Sequence, residues 1–356
     1  MRDLLIRRRN LLIRKQEEEM NIRAVCFKAD GEQTVAITKV GSAPQITMQY
    51  SYDGVAWEAW DLTPLPFGGS TKVYGRGMGN TTFGKDSSNY NKITFGTDSY
   101  VYVSGIAEAL LDGENEVLTY KGSGTLRNLF YNQPALRSAE NLKFEATTVP
   151  SVYQTCYAYT FAGCTNLLYA PKALSIEAFG NGNGYDCAYM FQGCTSLLTA
   201  PTLPATTLSQ YCYQYMFQGC TSLLTAPKIM AMTTSTGSQK GMFKNCTSLV
   251  NAPELPATNL GVGSYLEMFD GCTSLVNAPE LPATTLKDYC YQYMFRSCKS
   301  IKSIKCRAKV KAKSPTNKWL DYADSPSGTF YGHSEYGWSS GASGIPSGWE
   351  FVELTD

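Results

Sequence analysis

The 356-residue sequence predicts a mixed α/β chain, an N-terminal β-sandwich followed by a solenoid with one short strand and one short helix in each 26-residue turn. Three observations lead there. Phenylalanines at Phe191, Phe217, Phe243, Phe269 and Phe295, and cysteines at Cys194, Cys220, Cys246, Cys272 and Cys298, return at a fixed step of 26 residues. A period of roughly 20–50 residues marks stacked units, none of which buries its apolar face alone. Upstream, between about 21 and 113, apolar and polar residues alternate and are cut by Asp-Gly pairs, as in hairpins. A hydrophobic content of 43% in a chain of this length is enough for a continuous core through two or three modules.

Residues 1–20 hold a basic block, with Arg7, Arg8 and Arg9 followed by Arg14 and Lys15, and then Glu17, Glu18 and Glu19. Leu4, Leu5, Leu11 and Leu12 are interrupted by arginines, so no apolar run reaches the length of a secretory signal or membrane span, and export is not expected. The segment reads either as a solvated helix or flexible tail, or as an anchor in which Leu4, Leu5, Arg7, Arg8, Arg9, Leu11 and Leu12 dock on a partner subunit. The acidic cluster argues against a membrane-surface helix.

From 21 to 113 a β-sandwich is expected. Hairpins turn at Asp30-Gly31 and Asp53-Gly54, and short strands follow in STKVYGRGM, YNKITFG and YVYVSG. Gly75, Gly77 and Gly79 form no phosphate-binding loop, because no helix follows them. The repeat then occupies 114–313. Its first turn is degenerate, with Phe130 in the phenylalanine column, Gln133 in the cysteine column and Leu136 in place of Leu167. The step from Phe161 to Phe191 is 30 residues, the surplus being a loop with Gly180, Gly182 and Gly184.

Within one turn, Cys212, Met216 and Cys220 stand at i, i+4 and i+8, which predicts a short helix with that face inward and Tyr213 and Gln214 elsewhere. Leu223 and Ala226 then enter the core from a brief strand that Pro227 ends. Ten of the twelve cysteines belong to the repeat: the five above, Cys164, and Cys156, Cys187, Cys212 and Cys290 seven or eight residues upstream. Eight helical residues span about 12 Å, too far for a disulfide, so these cysteines read as small buried hydrophobes. No Cys-x-x-Cys pair exists and His333 is the single histidine, so no metal or cofactor is expected.

The recurring MFxGCTSLxxAPxLPATTL resembles the leucine-rich repeats of the BspA type found in bacterial surface proteins, over roughly 125–340. The resemblance implies binding without catalysis, since members with assigned roles are adhesins and recognition proteins. The YSYDGVAWEAW and KVYGRG segments are similar to a module that precedes such repeats in gut bacterial and phage proteins.

At the far end Arg307, Lys309, Lys311 and Lys313 alternate with Cys306, Ala308, Val310 and Ala312. This predicts a strand whose lysines protect a sheet edge, or an anion-binding strand. Residues 314–356, with Trp319, Phe330, Trp338 and Trp349, then form a cap whose GIPSGW is similar to endings of other proteins of this repeat type.

Thirty-one basic against thirty acidic residues give a net charge of +1, without the basic excess of a nucleic-acid binder. The chain carries no nucleophile and base in a recognisable pattern. Glu254 and Glu280 recur with the repeat, which makes them surface residues more simply than a hydrolytic pair. Twenty-four tyrosines favour recognition. Tyr157, Tyr213 and Tyr291 each follow a repeat cysteine, and stacking the turns predicts a ring ladder that either binds a sugar or a flat protein epitope or pads the junction between neighbouring turns. The expected function is that of a bacteriophage virion protein displaying the solenoid for host-surface recognition. Its partners are then virion subunits, met through the N-terminal segment, further copies of itself, and a host protein or glycan. The alternatives are a bacterial cell-surface adhesin and an intracellular scaffold.

Overall fold

The computed structural model describes residues 22–115, 122–150, 154–180, 184–309, 314–323 and 327–355. The first eight strands are β1 (Val25–Ala29), β2 (Gln33–Val40), β3 (Met48–Ser51), β4 (Glu58–Trp60), β5 (Leu65–Phe67), β6 (Val73–Gly77), β7 (Tyr90–Phe95) and β8 (Val101–Ile106). They are followed by β9 (Leu136–Lys143), and two sheets result, in the orders β4-β3-β6-β1-β8-β9 and β5-β2-β7. Alternation drives their packing: Val25 and Phe27 of β1, Val35 and Ile37 of β2, Ile93 of β7 and Val101 and Val103 of β8 are buried in one core. Phe27 meets Phe95 edge to face across the two sheets at 5.9 Å.

The sandwich runs directly into the solenoid. Strand β9 belongs to the first coil, yet it pairs in parallel with β8, and Ser138 on it bridges Tyr169 of the next coil. The first coil also carries β10 (Thr148–Val149), and later coils add β11 (Ala178–Phe179), β12 (Asn277–Leu281), β13 (Ser303–Cys306), β14 (Thr329–Gly332) and β15 (Glu350–Glu353). The last four form one parallel sheet. Between them the coils meet through single parallel bridges such as Tyr169 to Thr199, Thr199 to Thr225 and Asn251 to Asn277. Prolines such as Pro227 keep these strand contacts to a residue or two.

The expected helix in each turn is not there, so the fold is not mixed α/β. No α-helix occurs among the described residues, and the only helical pieces are two short 3₁₀ turns, Ala107–Leu110 and Ser334–Tyr336. The reason lies in the backbone. Tyr211, Tyr215 and Gly219 have φ of 56°, 52° and 75°, a left-handed residue at every fourth position, which no right-handed helix tolerates. The same triplet recurs as Tyr185, Tyr189 and Gly193, as Gly237, Gly241 and Asn245, and as Gly263, Glu267 and Gly271. Amides at 214, 216, 218 and 220 bond three residues back, to the carbonyls of 211, 213, 215 and 217. Amides at 211, 213, 215, 217 and 219 instead bond forward to carbonyls of the following coil, from Thr236 to Lys244. Every second peptide thus ties one coil to the next, and the segment is a run of overlapping turns.

This path sends two residues in and two out. Cys212 and Tyr213, then Met216 and Phe217, are buried in the core; Gln214 is also buried, donating to the Tyr189 hydroxyl at 3.3 Å, whereas Tyr215 and Gln218 are half-exposed. The phenylalanines stack down the axis from Phe161 to Phe295, Phe217 and Phe243 being 5.6 Å apart at 5°, and Trp319 takes the next place. The six cysteines three residues after a column phenylalanine, Cys164 to Cys298, each donate the thiol proton to the carbonyl of the phenylalanine in the coil before, as Cys246 Sγ does to Phe217 O at 3.1 Å. None of the twelve cysteines forms a disulfide, and all are buried. Burial pushes the thiols up, Cys164 to about 12. In the degenerate first coil Gln133 does fill the cysteine place, accepting from Phe95 N at 3.0 Å.

Two further expectations change at the C-terminal end. Ser314, Lys318 and Tyr322 carry the left-handed triplet again, and β14 continues the sheet, so the segment after 313 is another coil closed by β15. Strand β13 lies between β12 and β14 and is no edge. The strand ends at Cys306, and the basic residues on and after it are paired: Lys305 lies 3.1 Å from Glu280, Arg307 also holds Glu280, and Lys309 lies 3.5 Å from Glu335. Val310, Lys311, Ala312 and Lys313 fall outside the described residues.

Candidate functional site

The solenoid offers a turn face and a strand face. On the turn face the structure moves the expected tyrosine ladder inward: Tyr157, Tyr213 and Tyr291 are 0%, 1% and 0% exposed. In the two-in, two-out path each stands beside the buried column, not opposite it. Tyr157 donates to the buried Glu108 carboxylate at 2.8 Å, Tyr213 meets the edge of Phe179 at 5.4 Å, and Tyr291 stacks on Tyr265 at 6.1 Å. Their rings pad the core.

A different set of tyrosines rides outside, at the left-handed positions. Tyr159 stacks on Tyr189 at 4.7 Å and 4°, Tyr189 on Tyr215 at 5.4 Å, and Tyr185 on Tyr211 at 4.7 Å. Both stacks end against glycine backbone: a Cβ at Gly237 would lie 2.5 Å from the Tyr211 ring, and one at Gly241 2.1 Å from the Tyr215 ring. Stacked faces leave only edges and hydroxyls for a ligand, so this strip is a clamp between coils. Beside it Lys244 lies 2.8 Å from Glu267 and 3.1 Å from Asp270, and Arg296 makes two bonds to the same Asp270. Asp270 is buried between two cations of neighbouring coils, which fixes their register.

The strand face is the open one. A single register row runs from Lys28 through Tyr102, Ser138, Tyr169, Thr199 and Thr225, and is taken up 26 residues on by Asn251, Asn277, Ser303, Thr329 and Glu350. None of these side chains is buried. Ten steps at about 4.8 Å make a row of roughly 48 Å. Tyr169 is 40% exposed, and beside the row Leu224 is 59% and Val250 42% exposed. Asn277 donates to Asn251 at 2.6 Å, one side-chain rung of the ladder. Sequence reasoning passed over this row, although the residue two places after each inward leucine, threonine in TSLLTA and asparagine in TSLVNA, carries its signal.

Where the sandwich becomes solenoid, the row crosses a hollow of about 260 Å³ lined by Lys28, Tyr102, Ser104, Ser138, Glu140, Asn141 and Tyr169, with Val103. The register slips there: the three-residue step from Val101 to Ser104 faces a five-residue step from Leu136 to Asn141. Bulges of this kind re-aim side chains and loosen the pleat.

Among the described residues no three His, Cys, Asp or Glu side chains gather as metal ligands, and no helix is long and apolar enough to cross a membrane. The proposed docking residues Leu4, Leu5, Arg7, Arg8, Arg9, Leu11 and Leu12 lie outside the described residues. In comparison with known proteins, the family model for the BspA type leucine rich repeat region matches residues 138–275 and 239–315, in six copies. No curated protein and no solved structure matches the chain.

Proposed function

The chain belongs to the BspA-type leucine-rich-repeat family, and from that premise we propose that it is a non-enzymatic recognition protein of a bacteriophage virion, presenting its strand face to the host surface. The observation that carries this reading is the row of unburied side chains from Lys28 to Glu350, set on a scaffold whose turn face carries stacked tyrosines and ion pairs. A rigid row of hydroxyl, amide and aromatic side chains suits a partner that is large and neutral. Virion carriage is supported by twelve buried cysteines without a disulfide among them, which fit assembly in the reducing cytoplasm of a host cell. The family's usual place on bacterial surfaces favours the second reading, an adhesin.

The readings separate by where the protein sediments. We expect it with phage particles from a lysate, dissociating only when they are disrupted. Recovery in the cell envelope of uninfected cells would replace the virion reading by the adhesin, and recovery in the soluble cytoplasm would favour a scaffold. Within either surface reading, replacing Thr225 and Asn277 together by arginine should abolish attachment to host cells without lowering the melting temperature by more than a few degrees. Attachment that survives would remove the strand face from the function.

A further inference from the structure

We propose that the hollow at the junction of sandwich and solenoid is a saccharide site that holds one neutral pyranose ring. The inference rests on the recognition reading above and gives it a ligand class.

The hollow is built, not incidental. Tyr102 and Ser104 alternate along β8 with the buried Val101 and Val103, so both face outward. The two extra residues of β9 in this stretch bring Ser138, Glu140 and Asn141 to the same rim, where regular pleating would turn Asn141 away from the other two. Tyr169, on the next coil, closes the far side. In the later coils the same register place holds Thr199 and Thr225, so the tyrosine departs from the repeat only where the hollow is.

The chemistry of the rim selects the ligand. An aromatic ring 40% exposed offers an apolar plate to the C–H face of a sugar. Around it stand hydroxyls that donate and accept, an amide that does both, the Lys28 ammonium that donates, and the Glu140 carboxylate, which lies 3.5 Å from Lys172 and still accepts hydroxyl protons. A polyol ring satisfies all of these together. A nucleobase offers no adjacent hydroxyls to match these groups, and with one ammonium, Lys28, beside one carboxylate, Glu140, the lining offers no net charge to a phosphate. At about 260 Å³ the space falls below the roughly 300–1,000 Å³ of sites for drug-sized ligands, which limits it to one ring. From the hollow the exposed Thr199 and Thr225 lead on along the row, leaving a path for the rest of a glycan.

The test titrates the full chain with the methyl pyranosides of glucose, galactose, mannose and N-acetylglucosamine, followed by ligand-observed NMR. At least one should bind saturably in the millimolar range. Tyr169→Thr, which installs the residue of the neighbouring coils and should therefore fold, is expected to weaken that binding about tenfold or more. Tyr322→Ala, a change at a tyrosine 69% exposed and far along the chain, should leave it unchanged. Absence of saturable binding to all four sugars, or binding equal in wild type and Tyr169→Thr, would overturn the proposal. Neither result touches the sedimentation and attachment experiments, so the recognition reading stands or falls separately.

Discussion

At the scale of the residue, stability here depends on groups placed where they are costly. Gly219 and Gly271 occupy equivalent left-handed places with φ of 75° and 78°, but their surroundings differ. A Cβ at Gly219 finds nothing nearer than 3.8 Å, so Gly219→Ala should cost only the backbone strain, about 1–2 kcal/mol. At Gly271 the same atom would lie 2.2 Å from Asn245 Oδ1, and Gly271→Ala should cost distinctly more in thermal melts. Asp186 is the other costly group. It is 2% exposed with one carboxylate oxygen unpartnered, and burial raises its pKa to about 7. A folded value above the unfolded one means that its favourable contribution is complete below pH 4 and lost as pH rises through 7. Asp186→Asn should therefore raise the melting temperature at pH 8 and change it little at pH 4. Equal effects at both pH values would refute the assignment. The thiols follow the same sign in another window: Cys164, Cys290 and Cys306 rise from 9.0 to about 12, so stability should drain away as pH climbs from 9 toward 12. At neutral pH none should react with an alkylating reagent until the chain is unfolded.

At the scale of the element, the coil is the unit, and its register was legible in the sequence while its backbone was not. Phe, Cys and Leu columns follow directly from a 26-residue step, because a stack buries equivalent residues at equivalent places. The helix reading went wrong because inward residues at 212, 216 and 220 fit a period of four as well as 3.6. The discriminating signal was the column Gly193, Gly219, Asn245, Gly271 and Ser297, where glycine alternates with asparagine as left-handed positions prefer. The neighbouring Gly237, Gly241 and Gly263 replace tyrosines or glutamate at two further such columns. The tyrosine site was misplaced for the same reason, since the in/out pattern depends on the path taken. Far-ultraviolet circular dichroism should accordingly lack the double minimum of an α-helix; a helical spectrum would contradict the turn ladder. Phe243 lies between Phe217 and Phe269 in the stack, and Phe243→Ala should cost about 3–5 kcal/mol, since both neighbouring coils lose their contact.

At the scale of the whole molecule, sandwich and solenoid share one core, running without a break from Val25 to Trp349. The sequence suggested two modules joined end to end, because a change from hairpins to repeats looks like a boundary, and nothing in it announces that β8 and β9 pair. Yet that pairing gives the first coil its upstream neighbour. It covers the edge of β9 that would otherwise be open, and the coil behind it brings Phe130 to within 6.3 Å of Phe95 in a stacked pair. A stack of coils cannot end on exposed rings and unpaired peptides without inviting association. The sandwich is thus the N-terminal closure, as Trp319, Phe330 and Trp338 are the C-terminal one, the two tryptophans stacking at 5.7 Å. Two consequences follow from a shared core. Heat should unfold the protein in one calorimetric transition, whereas independent modules would give two. Residues 114–356 expressed without the sandwich should aggregate through the bared face of β9 and Phe130, while 22–356 stays monodisperse. A soluble, monomeric 114–356 fragment with native melting behaviour would mean that the first coil closes itself, and would return the sandwich to the status of a separate domain.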